Sequence, residues 1–153
     1  MNFFYDFEIS FIKIERGLIR YRKAGKGPPL LMLHVNPQTH AMWHEVAPEL
    51  IKEYTVICPD IPGYGKSFKP KIKENHVSHS KVNMAADIVS FMDLLGFDEF
   101  YILAHDRGAR IAHRLALDFP NKIIKIILLD IIPTIEHFER TNMEFAMGYY
   151  HWF

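Results

Sequence analysis

The sequence predicts an α/β fold: a mostly parallel sheet, opened by an antiparallel hairpin and flanked by helices. Three observations predict it. Continuous apolar runs, "LLMLHV" (30–35) and "YTVICPD" (54–60), read as strands buried on both faces. Segments with helical periodicity lie between runs of this kind. Ahead of them, "FEISFIKIE" (7–15) and "LIRYRKAG" (18–25) flank Gly17 as the two arms of a hairpin do.

The elements follow in order. "GKGPP" (25–29) is a turn between the hairpin and the first buried strand. "AMWHEVAPELIKE" (41–53) reads as one short helix in spite of Pro48, with Met42, Val46 and Leu50 on one face. "IPGYGKSFKPK" (61–71) is loop by its Pro and Gly content, and "KENHVSHSK" (73–81) is polar linker. Residues 82–96 form an amphipathic helix, with Met84, Ile88, Phe91 and Leu95 as its apolar stripe and Gly96 as its stop. Strand "FYILA" (100–104), a helix over 107–119 ended by Pro120, and strand "KIIKIILLD" (122–130) come next. After Pro133 the chain turns helical again, to residue 153.

Composition narrows the function. Lys plus Arg and Asp plus Glu are both 18, so the net charge is zero and no broad field argues for nucleic acid or an anionic membrane. Hydrophobic residues are 49%, ordinary for a globular domain with a core. The single cysteine, Cys58, fits a reducing compartment, and no apolar run reaches membrane-span length. A soluble, cytoplasmic protein is the expectation.

In parallel sheets, chemistry gathers beyond the carboxyl ends of the strands. That brings "HVNP" (34–37), "HDRG" (105–108) and "DIIPT" (130–134) together. Asp106 sits on the strand-to-helix turn between the small residues Ala104 and Gly108, a strained position that exposes its side chain. A carboxylate attacks amides poorly, but it displaces a leaving group from saturated carbon and leaves an alkyl ester. Water then cleaves that ester, which requires a histidine base and an oxyanion hole. The backbone N–H of Arg107 is placed as one donor. The competing reading makes Asp106 a helix cap, which accounts for neither small neighbour nor the buried strand before it. Arg107 and Arg110 stand where cations oppose the helix dipole, and they form a fork suited to a substrate carboxylate.

"AHDRGARIAHRLALDFP", with "DIIPT" and "YHWF" at their spacings, resembles the haloacetate (fluoroacetate) dehalogenases of the α/β-hydrolase superfamily. The likeness runs from about residue 8, and the family's chains continue well beyond residue 153. It implies that Asp106 is the nucleophile, and that Arg107 and Arg110 bind the substrate carboxylate. Asp130 is the acid that orients the catalytic histidine. His151 and Trp152 donate to the departing halide, with Tyr150 nearby. The oxyanion donors are the N–H groups of Asn36 and Arg107. The implied reaction needs no cofactor: a 2-haloacid becomes a 2-hydroxy acid and halide. The expected partners are a small anionic substrate and, for the complete protein, a second copy of itself.

The sequence also departs from that family. Val35 stands where the oxyanion loop usually carries Gly, a misfit if the position needs positive φ. Losing the Asn36 donor would cost roughly 3–4 kcal/mol of transition-state stabilisation. Haloalkane dehalogenases and epoxide hydrolases usually follow the nucleophile with Trp, so Arg107 favours an anionic substrate. The catalytic histidine is expected from a loop beyond residue 153: His34 reads as structural and His105 as pointing into the sheet. Residues 1–133 then form the N-terminal part of the hydrolase core, and 134–153 begin a helical cap. The alternatives are an epoxide or ester hydrolase of the same fold, or a non-catalytic truncated fragment with an open sheet edge. "GYGKS" (63–67) lacks the first Gly of a phosphate loop. Neither His40 with His44 nor His76 with His79 gains a third ligand for a metal.

Overall fold

The computed structural model describes residues 4–72 and 75–150. Strands β1 (Glu8–Ile14), β2 (Gly17–Ala24), β3 (Pro29–Leu33), β4 (Thr55–Pro59), β5 (Phe100–His105) and β6 (Ile123–Leu129) form one sheet in the order β1-β2-β4-β3-β5-β6. β1 and β2 pair antiparallel, as do β2 and β4, while β3, β4, β5 and β6 run parallel. The helices are α1 (Ala47–Leu50), α2 (Lys81–Leu94), α3 (Arg107–Asp118), α4 (Thr134–Glu139) and α5 (Met143–Gly148). After β3 the chain moves to one side for β4 and returns to the other for β5. This reversal opens a crevice at the carboxyl ends of β3 and β5.

The apolar runs are explained by burial on two faces. Leu31, Leu33, Ile57, Phe100 and Ile102 pack under α2 and α3. Their alternates Leu30, Met32, Val56 and Cys58 pack on the other side, with Trp43 and Ala47. β6 is covered less well: Ile124 and Ile127 are exposed, and among the described residues its ladder partner is β5.

Two expectations change. The helix read over 41–53 is a 3₁₀ turn at His40–Trp43 followed by the single turn of α1. Pro48 has no N–H to give and enters at the first turn of a new helix, so the chain restarts there. The buried face is therefore His40, Trp43 and Ala47, and Val46 is exposed. The second change is that the helical tail divides into α4 and α5. α2 itself begins on a Ser80 cap, whose hydroxyl accepts from the Asn83 N–H, and stops before Gly96 at φ +82°. It buries Ala85, Val89 and Met92 beside the predicted stripe, and also Asp87, which meets Arg16 at 2.8 Å. Among the described residues no helix is long and apolar enough to cross a membrane.

Candidate active site

Asp106 lies between the end of β5 and the start of α3, at φ +46° and ψ −112°, a conformation that strains any residue with a Cβ. Its neighbours hold it there. The Gly108 N–H donates to the His34 carbonyl at 3.1 Å, and the Asp106 N–H to Leu129 at 3.2 Å. A Cβ on Gly108 would stand 2.5 Å from the Leu33 oxygen, so only glycine lets α3 press this close to β3. The Asp106 side chain makes no capping hydrogen bond to α3. Its Oδ2 accepts from the Asn36 N–H at 3.1 Å instead. Capping therefore does not account for this aspartate. It lines a cleft of about 500 Å³ with Arg110, Asp130, Ile131, Ile132, His137, Phe145 and Tyr149.

The loop that supplies Asn36 tolerates its valine. Among the described residues the non-glycine positions at positive φ are His76, Asp106 and Asp130, and Val35 is not one of them. The sequence's misfit does not arise. His34 is buried and structural: its Nε2 accepts from the Ile61 N–H at 3.0 Å, and Nδ1 lies 2.9 Å from the Val35 carbonyl. Burial pushes its pKa down, partly offset by that carbonyl. Tyr64 donates its hydroxyl to Asn36 Oδ1 at 2.9 Å.

Asp60 anchors the loop beneath. It accepts from the His40 ring at 2.6 Å, from the Lys66 N–H at 2.9 Å and from Arg20 at 3.3 Å. Burial alone would raise its pKa, yet His40, through its ring and its N–H, and the Lys66 N–H hold the carboxylate well below its usual range. Gly65, at φ +49°, wraps so tightly that a Cβ would meet Asp60 Oδ2 at 2.1 Å. One amide of "GYGKS", that of Lys66, thus donates to a carboxylate of the protein itself.

The two arginines are placed unequally. Arg110 lines the cleft, with Nη1 donating to Thr134 Oγ1 at 2.9 Å. Arg107 is exposed at the first position of α3. Lys81, which the sequence reading passed over, joins them as a third cation. Burial pushes its pKa down first, and the fields of Arg107 and Arg110 push it further, against Asp106. The signal was present: a lysine at a helix N-terminus opposes the dipole as the arginines do.

Asp130 follows β6 at φ +55° on the rim of the cleft, with its side chain 86% exposed. His105 Nε2 is 3.5 Å from its Oδ2, so His105 faces Asp130, with its Nδ1 buried. Tyr150 is 76% exposed, and Tyr149 is the tyrosine of the cleft wall, stacked on Phe145 with centroids 4.7 Å apart. His151 and Trp152 lie outside the described residues.

A mixed sheet with a strained acidic turn at its switch point, facing a loop N–H, is the architecture of an α/β hydrolase. The family model for the alpha/beta hydrolase fold matches residues 28–153, and the chain belongs to that family. It is 43% identical to a fluoroacetate dehalogenase of a Burkholderia species, over 98% of this chain and 49% of that one. A solved structure from Nostoc, described as an alpha/beta hydrolase, superposes with TM-score 0.94 at 48% identity, over 97% of this chain and 51% of that one. A soluble epoxide hydrolase of a Corynebacterium species is 36% identical over 75% of this chain and 38% of its own length. The chain spans about half the length of the first two of these relatives and less of the third.

Proposed function

We propose that the chain carries the ester-forming half of a hydrolase that cleaves the carbon–halogen bond of a 2-haloacid. Residues 1–133 serve as core and 134–153 open the cap. The observation that carries this reading is Asp106: strained, uncapped, and held by one carboxylate oxygen on the Asn36 N–H. With Oδ2 held, Oδ1 is the oxygen that attacks. It forms a C–O bond to the saturated carbon while the carbon–halogen bond breaks and halide leaves with the electron pair. Arg110, supported by Thr134, holds the substrate carboxylate from the cleft wall, and Arg107 and Lys81 add positive potential nearby.

Water then attacks the ester carbonyl carbon, and negative charge develops on Oδ2. The N–H groups of Asn36 and Arg107 stabilise it. Breakdown returns the Asp106 carboxylate and releases the 2-hydroxy acid. This reading takes the general base, oriented by Asp130, from a histidine outside these residues. His151 and Trp152, with Tyr150 nearby, attend the departing halide.

The likeness to an epoxide hydrolase supports a second reading, in which the same aspartate opens an epoxide. The arginine in the cleft wall favours an anionic substrate over a neutral epoxide. The intact protein, assayed for halide-ion release from haloacetates and for diol formation from neutral epoxides, separates them. Halide release alone is expected. Diol formation without halide release would replace the first reading with the second.

A further inference from the structure

We infer that Tyr64 is a positioning residue that holds the oxyanion donor on Asp106; the inference rests on the hydrolase reading above. The donor belongs to Asn36, and residues 36–38 are exposed, so few packing contacts fix them. The side chain of Asn36 is nevertheless tied, its Oδ1 accepting from the Tyr64 hydroxyl at 2.9 Å. The main-chain N–H of the same residue reaches Asp106 Oδ2 at 3.1 Å. One residue is thus gripped by its side chain and does its work through its backbone.

Tyr64 is itself fixed. Its N–H donates to Ile61 at 2.9 Å, and its carbonyl accepts from Ser67 N–H at 3.1 Å and from Lys69 Nζ at 3.0 Å. Its ring meets the buried His34 edge-on, with centroids 5.3 Å apart. The loop is anchored below by Asp60. The phenol is therefore a fixed post, and Asn36 is the exposed group it steadies. Tyr64 is not among the residues that line the cleft, and its hydroxyl is spent on Asn36, so its effect passes through Asn36.

The test is Tyr64→Phe in the intact protein, which keeps the ring against His34 and removes only the hydroxyl. Outright loss of an oxyanion donor costs about 10²–10³ in kcat; a donor left in place but unsteadied should cost roughly ten-fold. kcat/KM for a haloacetate, which reports ester formation, should stay within about two-fold, so KM should fall with kcat, and the thermal midpoint should hold, because ring packing and substrate contacts remain. Quenched reactions should show more alkyl ester on Asp106, since the hydrolysis step is the one slowed. Asn36→Ala, which removes the acceptor, should match Tyr64→Phe, and the double variant should be no slower than either single. Unchanged kcat in Tyr64→Phe, or additive losses in the double variant, would overturn the inference.

A crystal structure of Tyr64→Phe decides it without any substrate. The Asn36 N–H should lose its single position on Asp106 Oδ2, seen as alternate conformers or raised displacement at residues 36–38, and an ordered, unchanged contact overturns the inference. Absence of halide release from the unsubstituted protein instead overturns the functional reading, and the crystallographic result still decides the role of Tyr64.

Discussion

Replacing Asp106 by alanine and by glycine should reverse the usual order of stability. At most positions glycine is the less stable of the two by about 0.5–1 kcal/mol, because it loses more backbone freedom on folding. Both variants lose the carboxylate and its hydrogen bond to the Asn36 N–H, so that loss cancels between them. What differs is the Cβ. At φ +46° and ψ −112° a residue with a Cβ carries about 1–3 kcal/mol of strain, and glycine carries almost none. The balance is strain relief less the entropy penalty, leaving glycine ahead by roughly 0.5–2 kcal/mol. Urea unfolding of the two variants of the intact protein measures the difference at equal slope. Neither should release halide. If alanine equals or exceeds glycine, the turn is not strained in solution, and the argument that the fold holds Asp106 under tension for catalysis fails.

Two further outcomes follow from packing and charge. Gly108→Ala drives a Cβ into the Leu33 and His34 carbonyl oxygens, at 2.5 and 2.7 Å. Backbone cannot swing aside as a side chain can, so the variant should lose about 1–3 kcal/mol and lower the thermal midpoint, with Asp106 displaced and activity lost together. Burial pushes the Asp87 carboxyl up to about 6, against the pull of Arg16. An unfolded aspartate releases its proton near 4, so the folded state binds more protons across that window and stability falls as pH rises through it. Asp87→Asn should remove that fall. Its stability relative to the unsubstituted protein should improve by up to roughly 3 kcal/mol between about pH 4 and pH 7, and a constant difference would contradict the assignment.

What the sequence revealed was local, and what it concealed was long-range. β3 and β4 were legible because strands covered on both faces are apolar without interruption. Asp106 was legible because the turn's demand for small neighbours is written beside it, at Ala104 and Gly108. The segment 41–53 misled because its apolar spacing suits a helix while Pro48 restarts the chain, rotating the buried face onto Trp43 and Ala47. Tyr64 looked like an ordinary loop residue, since its partner Asn36 is remote in sequence and adjacent only once the strands are ordered. His40 gave no sign of its bond to Asp60 for the same reason. Lys81 needed only the dipole argument already applied to Arg107 and Arg110.

The central claim is that Asp106 becomes covalently bound to substrate. A single turnover of a haloacetate by the intact protein in heavy-oxygen water tests it most directly. Water that attacks the ester carbonyl leaves its oxygen in the enzyme, so the account predicts label in the peptide containing Asp106 and an unlabelled 2-hydroxy acid. Label in the 2-hydroxy acid, with none in that peptide, would mean that water attacks the substrate itself, and would contradict the account.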